Sequence, residues 1–180
     1  MLKDVTTTFW RVLAPLPCIL VTCISKEGKY NIITVGWNMP VSIKPPCIAI
    51  SIGTKRYSYG LLKESGEFVI NIPEKNIIEK VQYCGITSGI KFDKFKETGL
   101  TPLPARKVKP PIIKECIGHI ECKIVKSIES GDHTLFIGEV LCAYAEESLY
   151  TNAWDVSKAK PLQTVIDGTY TIPQEPIKLR

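Results

Sequence analysis

The 180-residue sequence predicts a small, mainly antiparallel β-barrel with a few peripheral helices. Three observations carry this expectation. Apolar or alternating runs of strand length recur along the chain, each bounded by Gly, Pro or polar turn residues. Helical patterns fall singly between strands instead of in repeated βαβ units. No GxGxxG follows the first strand, as a doubly wound dinucleotide-binding sheet would require.

The elements follow in order. Residues 1–12 read as a short N-terminal helix or arm. Residues 18–25 form a strand, K26-E-G-K29 a turn, and residues 31–38 the hairpin partner. Pro45 and Pro46 punctuate the chain before a strong strand at 47–52. Tyr57, Leu61 and Leu62 share helical spacing, so 57–64 reads as a short helix. Residues 67–72 form a strand stopped by Pro73, and 76–84 another helix. Beyond Gly85 the pattern is irregular and contains the basic-aromatic patch K91-F-D-K-F95. Pro102, Pro104, Pro110 and Pro111 then mark a loop-rich crossing. Alternation over 117–128, the turn S130-G-D-H133 and a partner at 134–145 make the clearest hairpin. Residues 150–180 read as an extension packing on the barrel or on a partner, and 1–180 as one domain.

Composition narrows the function classes. Hydrophobic residues make up 44% and charged residues 23%, the balance of an ordinary globular protein. No apolar run approaches the roughly 20 residues of a membrane span, and L16-P-C-I-L-V21 is too short for a secretory core. The expectation is a cytoplasmic protein with no membrane partner. The net charge of +5 is spread without an Arg-rich stripe. That argues against nucleic acid and suits an anionic cofactor or substrate. The seven cysteines include no CxxC pair, and Cys and His lack metal-ligand spacing, so neither a disulfide framework nor a metal site is expected. The cysteines read as small buried hydrophobes, and for Cys84, beside the turn-like Gly85, a place near the site is the alternative to packing.

Two stretches carry the chemistry. In T54-K-R-Y-S58, Lys55 and Arg56 can neutralise a phosphate, Arg in bidentate fashion, and Ser58 can donate a hydroxyl hydrogen bond. If Ser58 opens a helix, backbone N–H groups add donors. In N31-I-I-T-V-G-W37, Asn31 and Thr34 offer polar contacts and Gly36 allows a ring to approach the backbone. A phosphate plus a planar ring points to a nucleotide-like cofactor, FMN first, although spacing alone does not separate FMN from another phosphorylated ligand. His133, at the hairpin turn, is a candidate for the redox face, whereas His119, inside an alternating strand, reads as structural. No Ser–His–Asp arrangement or paired carboxylate is assembled. Hydride transfer between cofactors needs mainly proximity and orientation, so their absence is compatible with redox chemistry.

The pieces P15-L-P17, N31-I-I-T-V-G-W37, S42-I-K-P-P46, T54-K-R-Y-S58, E67-F-V-I-N71, K91-F-D-K-F95, E115-C116 and G131-D-H-T-L-F-I-G-E-V140 occur together over residues 8–145. On them the chain resembles the flavin reductase-like family of FMN-binding split β-barrel proteins, especially its flavoredoxin-type and archaeal branch. The resemblance implies a six-stranded antiparallel Greek-key split barrel with peripheral helices. It also implies a homodimer with FMN in a groove near the subunit interface. Asn31 and Thr34 would lie near the flavin, and Val35, Gly36, Trp37 and Asn38 would give backbone contacts to its ring. Ser51, Ile52, Gly53 and Thr54 would line the ribityl and phosphate path. Lys55, Arg56 and Ser58 would hold the phosphate, with Lys94 or Phe95 closing over it. His133 would approach the redox face or a nicotinamide.

The implied activity is hydride transfer from NADH or NADPH to flavin. Electrons would then pass to free flavin, a ferric chelate, a redox protein or a flavin-dependent monooxygenase. Arg106 or Lys107 is the candidate for a 2′-phosphate. The alternatives are a non-catalytic FMN-binding module, a flavoredoxin-like carrier reduced by a partner protein, and a pyridoxamine-phosphate oxidase-like enzyme.

Overall fold

The computed structural model describes residues 1–174, 176 and 177. A 3-10 helix at Thr6–Leu13 precedes β1 (Leu16–Pro17), β2 (Ile19–Ile24), β3 (Tyr30–Val35), β4 (Asn38–Ile43) and β5 (Pro46–Gly53). Then come α1 (Tyr57–Ser65), β6 (Glu67–Ile72), α2 (Ile78–Ile86) and α3 (Lys94–Thr98). Two short strands, β7 (Pro102–Leu103) and β8 (Ile112–Ile113), precede the long hairpin of β9 (Gly118–Ser130) and β10 (His133–Ala145). β11 (Gln163–Ile166) and β12 (Thr169–Thr171) follow, and β11 pairs with β1. The end of the predicted 150–180 extension, at residue 175 and 178–180, lies outside the described residues.

Alternation sorts the side chains into two layers. Ile19, Val21 and Cys23 of β2 and Ile33 and Val35 of β3 join Ile48, Ile50, Ile52, Phe68, Ile70 and Phe136 in one cluster. The even-numbered Leu20 and Ile32 face a second cluster with Val81, Cys84, Phe95, Ile113 and Leu162. β2 is therefore buried on both faces, which explains why it reads as a continuous apolar run. α1 places Leu61 and Leu62 in the first cluster. It ends where Gly66 takes a left-handed conformation (φ 68°) and donates its N–H to the Leu62 carbonyl.

The main sheet runs β3-β2-β6-β9-β10-β5-β4. β3 and β4 are its two edges, yet only Gly36 and Trp37 separate them in the chain. Two residues cannot span a flat sheet of this width, roughly 29 Å at about 4.8 Å between strands. The sheet must curl until its edges meet, and the Ser51 N–H donates to the Trp37 carbonyl at 2.9 Å, carrying the β4–β5 ladder one pair past Asn38 into that two-residue link. Among the described residues no ladder joins β3 to β5 below it. The barrel is split along this seam.

The mainly-β class with peripheral helices is the observed one. The sheet has seven strands where six were expected. The addition is β4, whose Pro40 and the register shift that follows it hide the strand pattern. At an edge, a missing N–H and a bulge are both tolerated.

One buried polar network holds β6, β8 and β9 together. The Asn71 amide nitrogen donates to the Leu20 carbonyl at 3.3 Å. Its oxygen accepts the Ile113 N–H at 2.9 Å and meets His119 Nδ1 at 2.8 Å. Burial lowers the His119 pKa from 6.5 to about 4, Glu121 opposing the shift and Arg106 adding to it. Between those values the unfolded chain binds more protons at this residue than the folded one. Stability therefore falls as pH falls from about 6.5 to about 4. Urea midpoints across this range should show the loss, and His119→Gln should flatten it.

Candidate functional site

The seam opens into a continuous cleft with a polar end, a waist and an apolar end. The polar end is a cavity of about 120 Å³ bordered by Asn31, Lys55, Arg56, Ser58, Thr87, Ser88, Gly89 and Lys94. α1 starts here with Arg56 as its N-cap and no side-chain capping bond, so its first backbone N–H groups are left for a ligand. Ser58 is thus the second residue of the helix and not its cap. It is buried, and its Oγ accepts the Asn31 amide at 2.8 Å, leaving its own proton to donate. The Lys94 ammonium is buried and donates to the carbonyls of Ile32 and Cys84, both at 2.7 Å. Burial lowers its pKa from the usual 10.5, with Arg56 acting in the same direction and Cys84 and Cys23 opposing it.

The waist, about 150 Å³, lies between β3 and β5 and is bordered by Thr34, Val35, Gly36, Ser51, Ile52, Gly53, Arg56 and His133. It shares Arg56 with the polar end and Gly36, Trp37 and Ser51 with the apolar end. A Cβ on Gly36 would come within 2.7 Å of Thr164 Cγ2, so β11 backs this wall at close range. The Thr34 hydroxyl is committed to the Val81 carbonyl at 2.6 Å, and the Asn38 amide to the Pro17 carbonyl at 2.9 Å. Both side chains brace the walls, leaving backbone to face a ligand.

The apolar end comprises a cavity of about 300 Å³ bordered by Phe9, Trp10, Leu13, Leu16, Trp37 and Met39. A wider opening of about 550 Å³ extends it to Asp132 and His133. The His133 ring lies 4.8 Å from that of Trp37, and its Nδ1 meets Asp132 Oδ1 at 2.7 Å. That hydrogen bond holds the Asp132 carboxyl below the usual carboxylate range. His133 is brought beside the cleft by its pairing with Gly53 in the β10–β5 ladder.

The structure gathers Asn31, Thr34, Val35, Gly36, Trp37, Asn38, Ser51, Ile52, Gly53, Lys55, Arg56, Ser58, Lys94 and His133 around this one cleft. Two predicted residues stand apart. Thr54 is exposed and hydrogen-bonds the Asp132 carbonyl at 3.2 Å, tying its loop to the β9–β10 turn. Phe95 packs into the second apolar cluster against Tyr30, because α3 turns its Lys94–Phe95 side inward. Cys84 has a buried thiol pushed up to about 11 by burial and borders none of these cavities. Arg106 and Lys107 donate their backbone N–H groups to the buried Glu121 carboxylate, and the Arg106 guanidinium lies 3.8 Å from the centre of the Tyr144 ring. Neither borders the cleft.

Sequence reasoning missed Thr87, Ser88 and Gly89 at the polar end and Phe9 and Trp10 at the apolar end. T87-S-G89 has the small hydroxyl-and-glycine character of an anion loop and was legible in principle. F9-W10 carries no such signal, since two adjacent aromatics in a short arm suit any core.

The description "Flavin reductase like domain" matches residues 12–162. The chain belongs to the flavin reductase-like family. A protein of Archaeoglobus fulgidus is 42% identical over 129 residues, which cover 72% of each chain. The flavoredoxin of Desulfovibrio vulgaris (Miyazaki F) superposes with a TM-score of 0.85 at 32% identity, covering 92% of this chain and 91% of that one. The flavoredoxin of Methanosarcina acetivorans gives a TM-score of 0.88 at 29% identity, covering 99% and 94%. The family is one of flavin-binding oxidoreductases, and the split barrel with its peripheral helices is the fold shared with these structures. Among the described residues no helix is long and apolar enough to cross a membrane.

Proposed function

We propose that this chain is an FMN-binding oxidoreductase that takes hydride from NADH or NADPH and passes electrons to free flavin, a ferric chelate or a redox protein. The observation that supports it most is the polarity gradient along one cleft. An uncapped helix N-terminus with Lys55, Arg56, Ser58 and Lys94 lies at one end, and Trp10, Trp37 and Leu16 at the other. FMN has the same order of parts, a dianionic phosphate, a polar chain and a flat ring, so the residues present fit it. Bound there, FMN would supply the hydride-accepting and electron-donating chemistry.

The chain's own residues would do the rest. Arg56, Lys55 and the first N–H groups of α1 neutralise and orient the phosphate. Backbone of Gly36 and Trp37 and the Ser51–Gly53 strand border the ring's approach, while Phe9 and Trp10 exclude water from its outer side. His133, its Nδ1–H accepted by Asp132, is held in a fixed position beside the ring. β4 leaves Met39, Val41 and Ile43 exposed on an edge strand next to the apolar end. In this reading a second copy of the chain covers that edge, giving a homodimer with the flavin near the interface.

The deciding experiment is the visible spectrum of the purified protein, repeated anaerobically with NADH and then NADPH. Flavin bands that bleach establish the reductase. Flavin bands that persist with both nicotinamides favour the second reading, an electron carrier reduced by a partner protein, which is the direction in which the likeness to two flavoredoxins points. A colourless protein that fails to bind added FMN rejects both.

Two variants assign roles. Arg56 is exposed and makes no packing contribution to the core, so Arg56→Ala should weaken FMN binding about tenfold or more with an unchanged circular dichroism spectrum. Fluorescence titration of FMN checks it, and equal affinity would remove Arg56 from the phosphate site. His133→Ala should slow anaerobic flavin reduction by roughly a hundredfold while FMN affinity changes by less than about threefold. Stopped-flow bleaching against the binding titration separates the two effects.

A further inference from the structure

A second cavity, of about 470 Å³, lies at the other end of the β9–β10 hairpin, bordered by His119, Tyr144, Tyr150 and Trp154 around Gly118 and Ala143. None of its lining residues borders the cleft. Along β10, Ala143 stands roughly 30 Å from His133 at about 3.3 Å per residue. The walls are aromatic. Tyr150 and Trp154 meet edge to face at 5.1 Å, and Tyr144 packs on the His119 ring at 5.3 Å.

Two side chains that border this space, His119 and Tyr144, offer acceptors. The Asn71 amide is fixed in orientation, since its nitrogen donates to the Leu20 carbonyl and its oxygen accepts the Ile113 N–H. That oxygen can only accept from His119, so the proton sits on Nδ1 and Nε2 presents a lone pair. His119 is 8% exposed. Among the described residues its Nε2 makes no hydrogen bond, and it is not a sealed, unpaired atom either, which leaves it open to the cavity. The Tyr144 hydroxyl donates to Glu121 at 2.9 Å, so its oxygen is also left to accept. No Lys or Arg borders the cavity.

We propose that this cavity is a second ligand site, taking an uncharged planar aromatic molecule that carries an N–H or O–H donor, with His119 Nε2 as the acceptor. Aromatic walls supply stacking and edge contacts to a flat ring. The lack of a lining cation disfavours phosphates and carboxylates, which separates this site from the cleft. The size falls within the range of small-molecule pockets. Burial keeps the His119 ring neutral near neutral pH, so the lone pair persists there.

Indole is a suitable probe, with 1-methylindole as the same shape lacking the donor. The chain has three tryptophans, and Trp10 and Trp37 border the cleft, so the side-chain N–H resonance of Trp154 reports this cavity alone. In the full chain indole should shift the Trp154 resonance saturably, and 1-methylindole should bind about tenfold more weakly. Ala143→Phe fills the space from an exposed position and should abolish the shift while leaving the Trp10 and Trp37 resonances in place. A Trp154 resonance that does not saturate, an equal response to both indoles, or a response that survives Ala143→Phe would each overturn the proposal.

Discussion

Gly89→Ala is expected to weaken FMN binding about a hundredfold and to cost about 2–3 kcal/mol of stability, although Gly89 makes no polar side-chain contact itself. The reason is the crossing of two segments at the polar end of the cleft. The loop after α2 runs over β3 so closely that a Cβ at residue 89 would fall inside contact distance of Asn31 Oδ1 and Cγ, and 3.0 Å from the Tyr57 ring. Asn31 is buried and its amide is the donor to Ser58 Oγ, so it cannot swing aside without breaking that bond. Tyr57 is the first residue of α1, and pushing it displaces the uncapped N–H groups. One methyl group therefore disturbs Ser58, the helix N-terminus and the T87-S-G89 loop together. Thermal unfolding and FMN titration of the same preparation check the two effects. Unchanged FMN affinity in a destabilised protein would place the phosphate elsewhere.

The contrast between what was and was not legible in the sequence follows from how far each signal reaches. Periodicity and turn chemistry are local, so β6, the β9–β10 hairpin and α1 were placed nearly to the residue. T54-K-R-Y-S58 and N31-I-I-T-V-G-W37 were legible because each carries its chemistry within a few residues. β4 was missed because Pro40 and its bulge suit an edge, and edge status depends on sheet order. Phe95 and Lys94 were ambiguous for a similar reason. K91-F-D-K-F95 looks like an exposed basic-aromatic patch, but Asp93 caps α3 by accepting the N–H groups of Phe95 and Lys96. That cap fixes the helix so that Lys94 and Phe95, and not Phe92, turn inward. Phe9 and Trp10 reach the cleft only through tertiary packing, which no local pattern announces.

Lys94→Met tests the least obvious consequence of that turn. A lysine buried between two backbone carbonyls is both a structural tie and a source of charge. Its Nζ links β3, through Ile32, to the last turn of α2, through Cys84, from its own position at the start of α3. Methionine fills similar volume but leaves both carbonyls without their donor, at an expected cost of about 2–4 kcal/mol. The cation also borders the polar end of the cleft, so its loss should lower FMN affinity as Arg56→Ala does. The two variants are expected to differ in stability, because Arg56 is exposed and Lys94 is not. The pH dependence adds a second discriminator. With the folded pKa held below the usual 10.5, the unfolded chain binds more protons at this residue as pH rises toward that value. The parent should therefore gain stability relative to Lys94→Met over that interval. Denaturation midpoints of both proteins at rising pH measure this difference, and parallel curves would show that Lys94 keeps an ordinary pKa despite its burial.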